Sequence, residues 1–332
     1  MIGKLDTLIL DGRAVKSLVS LDDVIREVKV TFIEKSMGRV QMPSKPYLYF
    51  GEYDGDLRVM PAYMEGMNIA AVKIVNSHTK NEDRGLPNVM GIITVIDPET
   101  GAPLCIMDGT YITTLRTAAA SAVATDVLAK QDSTTLGIIG TGSQAESQII
   151  AISKVRHIEK VMVSSGTIEM AGDFAERIGR SLRGVSMSSA TIEDTVRGSD
   201  ILITVTPSRS PIVIDEWVNN GIHINAVGAD APGKEELDPL ILKRSKIIID
   251  DWEQSSHGGE INVPLEKELL RKEQIHGELG DVLTGKIDSR TSDDEITIFD
   301  STGLAIQDVA TASIVYGKAL EKGIGSNCQF ID

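Results

Sequence analysis

The chain lacks several features that would assign it to a particular class of protein. It has only two cysteines, Cys105 and Cys328, which lie far apart among its 332 residues. We expect them to be free thiols of a reducing compartment rather than a disulfide. The five histidines show no spacing typical of metal ligands, and no Cys-x-x-Cys motif accompanies them. The sequence therefore predicts a protein that works without a bound metal.

A surplus of positive charge and long apolar runs are also missing. The formal net charge is −15, from 33 lysines and arginines against 48 aspartates and glutamates. This balance argues against nucleic acid and against an anionic membrane surface as partners. No apolar run approaches the roughly 18 residues of a membrane-spanning helix. The first residues lack the basic and apolar regions of a signal peptide, so we expect a cytoplasmic protein.

The middle of the chain alternates strand-like and helix-like segments. The predicted strands are residues 135–140, 160–164, 185–188, 200–206, 222–228 and 246–250, and the predicted helices are residues 144–154, 167–180 and 192–197. Such alternation indicates βαβ units with a parallel sheet. The apolar runs 201–203 and 247–249 are typical of strands buried on both faces. Residues 117–303 are therefore predicted to form an α/β domain with a Rossmann-type, doubly wound parallel sheet.

The two ends of the chain read differently. Ser20 is predicted to cap a helix that continues to about Met37. Short strands are predicted at residues 47–50, 57–60, 70–75, 89–96 and 103–107. A final helix over residues 303–321 is predicted to bury one face, formed by Leu304, Val309, Ala312, Val315, Tyr316 and Leu320. We expect that helix to pack onto the first segment, so that residues 1–116 and 304–332 form one discontinuous α+β domain.

The most informative short motif follows the predicted strand 135–140 and leads into a helix. It reads Gly140, Thr141, Gly142, Ser143, Gln144 and Ala145, a G-x-G-x-x-A pattern. In dinucleotide sites the first glycine permits a tight turn, and the second lets the backbone approach a pyrophosphate. The third position allows close packing of the helix, whose N-terminus attracts the phosphates. The alternative is a glycine-rich turn with no ligand.

Two further loops follow predicted strands at the same edge of the sheet, where ligands bind in open α/β folds. They are residues 207–211 and residues 229–234, and they could flank a nicotinamide ring and a substrate. The predicted cofactor contacts beyond the glycine turn are Ser164, Ser165, Thr206, Pro207, Val227, Gly228 and Ser301.

Four cations and one carboxylate are candidates for the chemistry. Lys73 stands in an apolar run and is either a buried amine suited to proton transfer or an edge-strand charge facing solvent; burial statistics favour the second. Asp230 either orients a substrate amine or merely caps a turn. Arg116 either clamps a substrate carboxylate or forms a salt bridge, and Lys45 and Arg58 supply further positive charge.

Together these residues lie in an ordered series of segments that resembles the ornithine cyclodeaminase/mu-crystallin family over essentially the whole chain. The matching segments are residues 41–45, 71–78, 115–119, 140–145, 225–234, 257–262 and 299–308. The resemblance implies a Rossmann domain and a substrate-binding domain, made from both chain ends, that dimerises through its sheet. It also implies that Lys73 is the general acid/base, that Asp230 handles the amine or the attacking water, and that Arg116, with Lys45 and Arg58, holds the carboxylate.

The resemblance implies an enzyme that oxidatively deaminates a small L-amino acid reversibly, with alanine as the expected substrate and pyruvate and ammonia as products. A cyclodeaminase that converts ornithine to proline and ammonia is the first alternative. It is disfavoured because Arg58 would repel the distal ammonium of a diamine. A mu-crystallin-like protein that binds NADPH and a small molecule is the second alternative, and the intact set of Lys73, Arg116 and Asp230 disfavours it.

The expected cofactor is NAD or NADP. Sites that prefer NAD usually carry an acidic residue at the tip of the second strand, where it holds the ribose 2′-hydroxyl. Here that tip reads Ser164 and Ser165, followed by Thr167, with no acid and no arginine beside them. These hydroxyls could accept a 2′-phosphate, so the sequence predicts relaxed or NADP-leaning use.

Overall fold

The structure is a computed structural model that describes residues 5–182 and 184–331. Its strands are β1 (Leu5–Leu10), β2 (Val40–Gln41), β3 (Tyr47–Phe50), β4 (Gly55–Met64), β5 (Ile69–His78), β6 (Val89–Ile96), β7 (Pro103–Asp108), β8 (Thr135–Ile139), β9 (Lys160–Ser164), β10 (Ser186–Ser189), β11 (Ile201–Thr204), β12 (Arg209–Val213), β13 (His223–Ala226), β14 (Glu235–Leu237), β15 (Lys246–Ile249), β16 (Ile275–Glu278), β17 (Thr297–Asp300) and β18 (Ser326–Ile331).

The helices are α1 (Gly12–Leu18), α2 (Leu21–Ser36), α3 (Thr110–Leu128), α4 (Ala145–Val155), α5 (Ile168–Gly179), α6 (Ile192–Arg197), α7 (Pro239–Lys243), α8 (Trp252–Gly258), α9 (Asn262–Glu266), α10 (Leu279–Leu283) and α11 (Ala305–Lys322). Ser20 caps α2 by accepting from the Asp23 N–H, as the sequence predicts. Short 3₁₀ turns lie at Gly51–Tyr53, Glu65–Met67, Glu82–Arg84, Asp215–Trp217 and Lys272–Gln274.

The chain folds into two compact units. One, the end unit, comprises Met1–Arg116 and Leu304–Asp332, and the other, the central unit, comprises Thr117–Gly303. The second boundary falls at Gly303, whose φ of 76° is a left-handed conformation that glycine adopts without strain. Among the described residues, no helix is both long enough and apolar enough to cross a membrane. Both cysteines are free thiols.

The central unit contains a parallel sheet in the order β10-β9-β8-β11-β13-β17-β15-β16. The strand order reverses between β8 and β11, which makes this position the topological switch point of the sheet. Both faces are covered, because Ile201 and Ile203 of β11 lie in one core cluster and Leu202 lies in the other. The predicted doubly wound sheet is therefore confirmed, although β17, which lies between β13 and β15, is absent from the predicted strands.

The end unit contains a mixed sheet in the order β18-β1-β7-β6-β5-β4-β2, with β3 also paired to β4. β1 pairs in parallel with β7 and antiparallel with β18, so the first and last strands of the chain are neighbours. Strand β5 is an interior strand, between β4 and β6. The predicted β-rich first segment is confirmed, and the last strand of the chain belongs to the same sheet.

Helix α11 packs against β4, β5 and β6 and against α1 and α2. Its predicted single buried face is wrong in two respects. Residues 305–312 are buried on all sides, because the helix has both a sheet and two helices as neighbours. Leu320, predicted to be buried, is 59% exposed.

The glycine turn connects β8 to α4 and depends on Gly140 for its shape. The φ of Gly140 is 111°, and a Cβ added there would lie 2.7 Å from the Val205 carbonyl oxygen. By contrast, a Cβ added at Gly142 would meet no atom within 4 Å. The first glycine is thus required by the fold, whereas the second leaves open space beside the backbone.

We predict different effects of the two alanine substitutions on stability. Gly140→Ala should lower the free energy of unfolding by about 1–3 kcal/mol, because it combines backbone strain with a clash. Gly142→Ala should change it by less than about 0.5 kcal/mol. Equilibrium unfolding in urea measures both values, and equal losses in the two variants would contradict this account of the turn.

Candidate functional site

Strand β5 buries Lys73 within the end unit. Burial alternates along the strand, and Ala71, Lys73 and Val75 lie on its buried face. The Lys73 side chain has no solvent exposure. The pattern-based interpretation of a solvent-facing edge lysine is therefore wrong. The reason is that β5 lies between β4 and β6 and packs against α11.

Helix α11 supplies the counter-charge for Lys73. The Nζ of Lys73 lies 2.7 Å from Oδ2 of Asp308, and Oδ1 of the same carboxylate lies 3.2 Å from Nε of Arg116. The Lys73 ammonium also donates to Oγ1 of Thr113 at 3.2 Å. One buried carboxylate therefore faces two buried cations. The sequence reasoning did not single out Asp308, although a charged residue among the apolar residues of the last helix was a usable signal.

Surplus positive charge in this cluster changes the acidity of Lys73. Burial and, to a smaller extent, the charges of Arg116 and Lys45 lower the pKa of Lys73 to about 7, although Asp308 opposes them. Arg116 also donates from Nη1 to Oε1 of Gln307 at 3.3 Å. The structure thus brings together three of the predicted residues, Lys45, Lys73 and Arg116. A lysine with this pKa exchanges its proton near neutral pH.

Arg58 lies on the same face of the sheet but in a different electrostatic setting. Met60 pairs with Lys73 across β4 and β5, and Arg58 lies two residues from Met60. The Arg58 guanidinium binds both oxygens of Asp56, at 2.9 and 3.1 Å, and lies over the Tyr47 ring. Asp56 therefore balances the charge of Arg58.

The glycine turn and the loop after β11 line one cavity of about 460 Å³ in the central unit. Its lining comprises Ile139, Gly140, Thr141, Gly142, Ser165, Gly166, Met170, Ile192, Val205, Thr206, Pro207, Ser208 and Ile212. The cavity lies at the switch point between β8 and β11, where ligands bind in this type of sheet. Within the described residues, no side chain caps the N-terminus of α4, which follows Ser143 and Gln144.

These observations show that the cavity fits a dinucleotide. The uncapped N–H groups of α4 can donate to phosphate oxygens, and the space beside Gly142 admits a phosphate close to the backbone. Ala145 is fully buried, as close packing of the helix on the sheet requires.

One predicted contact is wrong, because the Ser164 hydroxyl points into the protein. It is buried and bonds to the carbonyl oxygens of Ala190 and Thr191, at 3.2 and 3.0 Å, and to the Thr195 hydroxyl. Thr167 uses its hydroxyl to cap α5. Ser165, by contrast, lines the cavity and lies 2.8 Å from the Thr141 hydroxyl.

The loop after β13 carries the remaining candidates. Val227 is buried, and the N–H of Gly228 donates to Oε2 of Glu236 at 3.0 Å. Asp230 is 34% exposed and forms an ion pair with Lys234 at 2.6 Å, and the next helix, α7, is capped by another residue, Asp238. The hydroxyl of Ser301, after β17, is buried and has no hydrogen-bond partner among the described residues. Such an unpaired group is suited to meeting a ligand.

Comparison with known proteins gives full-length matches. A family model described as the ornithine cyclodeaminase/mu-crystallin family matches residues 5–323. The alanine dehydrogenase of Archaeoglobus fulgidus is 48% identical over 326 residues, which cover 98% of this chain and 99% of that protein.

Solved structures match equally completely. An archaeal alanine dehydrogenase dimer with bound NAD matches with a TM-score of 0.94 and 48% identity, over 98% of this chain and 100% of that chain. The Thermococcus litoralis Δ1-pyrroline-2-carboxylate reductase, in complex with NADH and L-proline, matches with a TM-score of 0.94 and 38% identity, over 97% and 100%. The chain belongs to the ornithine cyclodeaminase/mu-crystallin family.

Proposed function

We propose that this protein is a nicotinamide-dinucleotide-dependent dehydrogenase of a small L-amino acid, with L-alanine as substrate. In the forward direction, alanine, the oxidised cofactor and water give pyruvate, ammonium, the reduced cofactor and a proton. The observation that carries the proposal is the buried Lys73, held by Asp308 and next to Arg116. The similarity to the Archaeoglobus fulgidus alanine dehydrogenase supports it.

The cofactor is assigned to the cavity of the central unit. Gly140, Thr141 and Gly142 line it together with Ser165, Thr206 and Pro207. When bound, a nicotinamide dinucleotide supplies the hydride acceptor. We retain Val227, Gly228 and Ser301 as predicted contacts, because they lie at the ends of neighbouring strands of the same sheet.

The substrate carboxylate is assigned to the cations of the end unit. Lys73 and Arg116 share the carboxylate of Asp308 as their counter-ion, and Lys45 adds a further positive charge near them. An anionic ligand would offset this surplus, and a planar guanidinium suits a carboxylate. Hydrogen bonds within the described residues use Nε and Nη1 of Arg116, which leaves Nη2 for the ligand.

Lys73 is assigned the proton transfers. Its pKa of about 7 lets the neutral amine accept a proton from the substrate nitrogen, and lets the ammonium return one in the reverse direction. Asp230 is assigned to the amine or to the water that hydrolyses the imine. Its carboxylate forms an ion pair with Lys234 at 2.6 Å and is partly exposed, so it is accessible to a ligand.

Reduction of a cyclic imine is a second candidate function. The Thermococcus litoralis relative is a Δ1-pyrroline-2-carboxylate reductase, and it matches this chain as completely as the alanine dehydrogenase does. Its substrate also carries a carboxylate beside a carbon–nitrogen bond, so the same cations and the same lysine would serve. The balance of Arg58 by Asp56 weakens the argument that Arg58 repels a diamine, so the ornithine reaction is tested as well. We also propose a homodimer, by analogy with the archaeal relative.

A single set of assays distinguishes these functions. Purified protein is incubated with pyruvate, ammonia and NADH or NADPH, with Δ1-pyrroline-2-carboxylate and the same cofactors, and with L-ornithine and NAD. We expect oxidation of the reduced cofactor that requires both pyruvate and ammonia. Faster turnover of the cyclic imine would replace the proposal with the second candidate. Proline from ornithine without net reduction of NAD would indicate a cyclodeaminase, and binding of NADPH without turnover a binding protein.

We predict that Lys73→Met lowers kcat by about 10²- to 10⁴-fold, the usual contribution of a general acid/base. The fold should survive, because methionine replaces a buried charge and Asp308 keeps Arg116 as a partner. Lys80→Met is the matched control, since Lys80 is an exposed lysine paired with Asp54. A Lys73→Met variant with undiminished turnover would refute the assigned role.

The pH dependence should report the same lysine. Deamination needs neutral Lys73, so its kcat/KM should fall as the pH drops below about 7, whereas reductive amination needs the ammonium and should fall above about 7. Asp308 raises the pKa of Lys73, so Asp308→Asn should shift the pH profiles of both reactions to lower pH. If the two pH profiles are unchanged in this variant, another group is responsible for the pH dependence.

Cofactor preference should depend on Ser165. We expect Ser165→Asp to lower the kcat/KM for NADP relative to NAD by about tenfold or more, because a carboxylate repels the 2′-phosphate and binds the 2′-hydroxyl. Ser186→Asp, at an exposed position of β10, is the matched control. An unchanged ratio would show that the ribose lies elsewhere.

A further inference from the structure

Four carboxylates of the central unit are fully buried, and three of them, Glu236, Glu260 and Asp300, are linked by hydrogen bonds to one another's backbone. Their hydrogen bonds come mainly from backbone N–H groups. This arrangement is costly, because a buried carboxylate loses its hydration and backbone dipoles compensate only in part. None of the roles assigned above uses these residues, so their burial requires a separate explanation.

Hydrogen bonds connect the three carboxylates in the order Asp300, Glu260, Glu236. Oδ1 of Asp300 accepts the N–H of Glu260 at 2.9 Å. The carboxylate of Glu260 in turn accepts the N–H of Glu236 at 2.9 and 3.1 Å and the N–H of Leu237 at 2.6 Å. Each side chain thus fixes the backbone of the residue that carries the next carboxylate.

The series ends at the cavity. Oε1 of Glu236 accepts both the N–H and the hydroxyl of Thr206, each at 2.7 Å, and Oε2 accepts the N–H of Gly228 at 3.0 Å. Thr206 lines the cavity, and Gly228 begins the loop that carries Asp230. A Cβ added at Gly228 would lie 2.5 Å from Oε2 and 2.2 Å from the Thr206 carbonyl oxygen, so the three segments are tightly packed.

Burial and the hydrogen-bond donors have opposite effects on the pKa values of these carboxylates. Burial raises the pKa of all three groups, and repulsion from Glu236 and from Asp250 adds to the rise at Glu260 and Asp300 respectively. The backbone N–H groups favour the charged forms. Apolar side chains would fill the same volume at less cost, but they could not hold two loops by their N–H groups.

We propose that Glu236 is a positioning residue of the cofactor cavity, which holds the loops at Thr206 and Gly228 while Glu260 and Asp300 fix its own backbone. The identity of the ligand rests on the proposed function. The holding of the two loops does not, so the two can be tested separately.

The test compares Glu236→Gln with Glu235→Gln. Both residues lie on β14, are buried and exchange a carboxylate for an amide on substitution, but the Glu235 carboxylate accepts from Lys267 instead of from the two loops. The backbone N–H of Glu235, which donates to the Ser208 carbonyl, is unchanged by the substitution. A glutamine at position 236 has one acceptor oxygen, and its NH₂ group would face an N–H donor. Hydrogen–deuterium exchange at Thr206 and Gly228 should therefore rise about tenfold or more in Glu236→Gln only.

A second measurement separates positioning from general loss of structure. Titration with NADH and steady-state kinetics should show about tenfold weaker cofactor binding in Glu236→Gln, with kcat at saturating cofactor changed less than about threefold. If exchange at both loops matches that of Glu235→Gln, the inference is overturned. If exchange rises but NADH affinity does not change, the role at the cavity is overturned.

If the proposed function is wrong, the measurements differ from those expected when only the inference about Glu236 is wrong. If the unmodified protein binds neither NADH nor NADPH, the cofactor assignment fails, while the exchange data still decide whether Glu236 holds the loops. Should Glu236→Gln not fold, Glu260→Gln replaces it, with raised exchange at Glu236, Leu237 and, to a lesser extent, Thr206. Unchanged exchange at these three amides would overturn the series.

Discussion

The buried charge cluster of the end unit depends on the ion pairs that the Asp308 carboxylate forms with Lys73 and Arg116. Without this carboxylate, Lys73 and Arg116 would be two buried like charges with no counter-ion, an arrangement that costs several kcal/mol. The three residues come from β5, α3 and α11, so the cluster forms only when the last segment of the chain packs onto the first sheet. A compact unit built from both chain ends follows from this requirement.

Apart from β17, local pattern predicted the strands of the central sheet that are buried on both faces, and it predicted the glycine turn, because neither depends on distant partners. The solvent exposure predicted for Lys73 is wrong because alternation along a strand reveals two faces but not which of them is covered. The helix that covers this face, α11, lies far away in sequence. The cofactor contact predicted for the Ser164 hydroxyl is wrong for a related reason, because the last residue of a strand can point to either side of the sheet. The resemblance to a family corrected the first error but not the second.

Charge is distributed very unevenly in this protein. The chain as a whole carries −15, which argues against polyanionic partners, yet the surroundings of Lys73 hold more cations than anions. The central unit shows the opposite, with carboxylates buried in series and satisfied by backbone N–H groups. Net charge therefore limits the class of macromolecular partner, but the small ligand is determined by a few side chains in a low-dielectric setting.

In the proposed function, Lys73 and Arg116 cannot by themselves select the substrate. Alanine, ornithine and a cyclic imino acid all present a carboxylate and a nitrogen on the adjacent carbon, so Arg116 and Lys73 would treat them alike. Discrimination must come from groups that meet the rest of the molecule. The neutral pair of Asp56 and Arg58, on the face that carries Lys73, can neither attract nor repel a distal ammonium strongly while it stays intact. A diamine would have to break that pair to use Asp56, whereas a methyl group would leave it undisturbed. Under the proposed function, the small substrate is therefore favoured by the stability of an ion pair rather than by repulsion from a lone arginine.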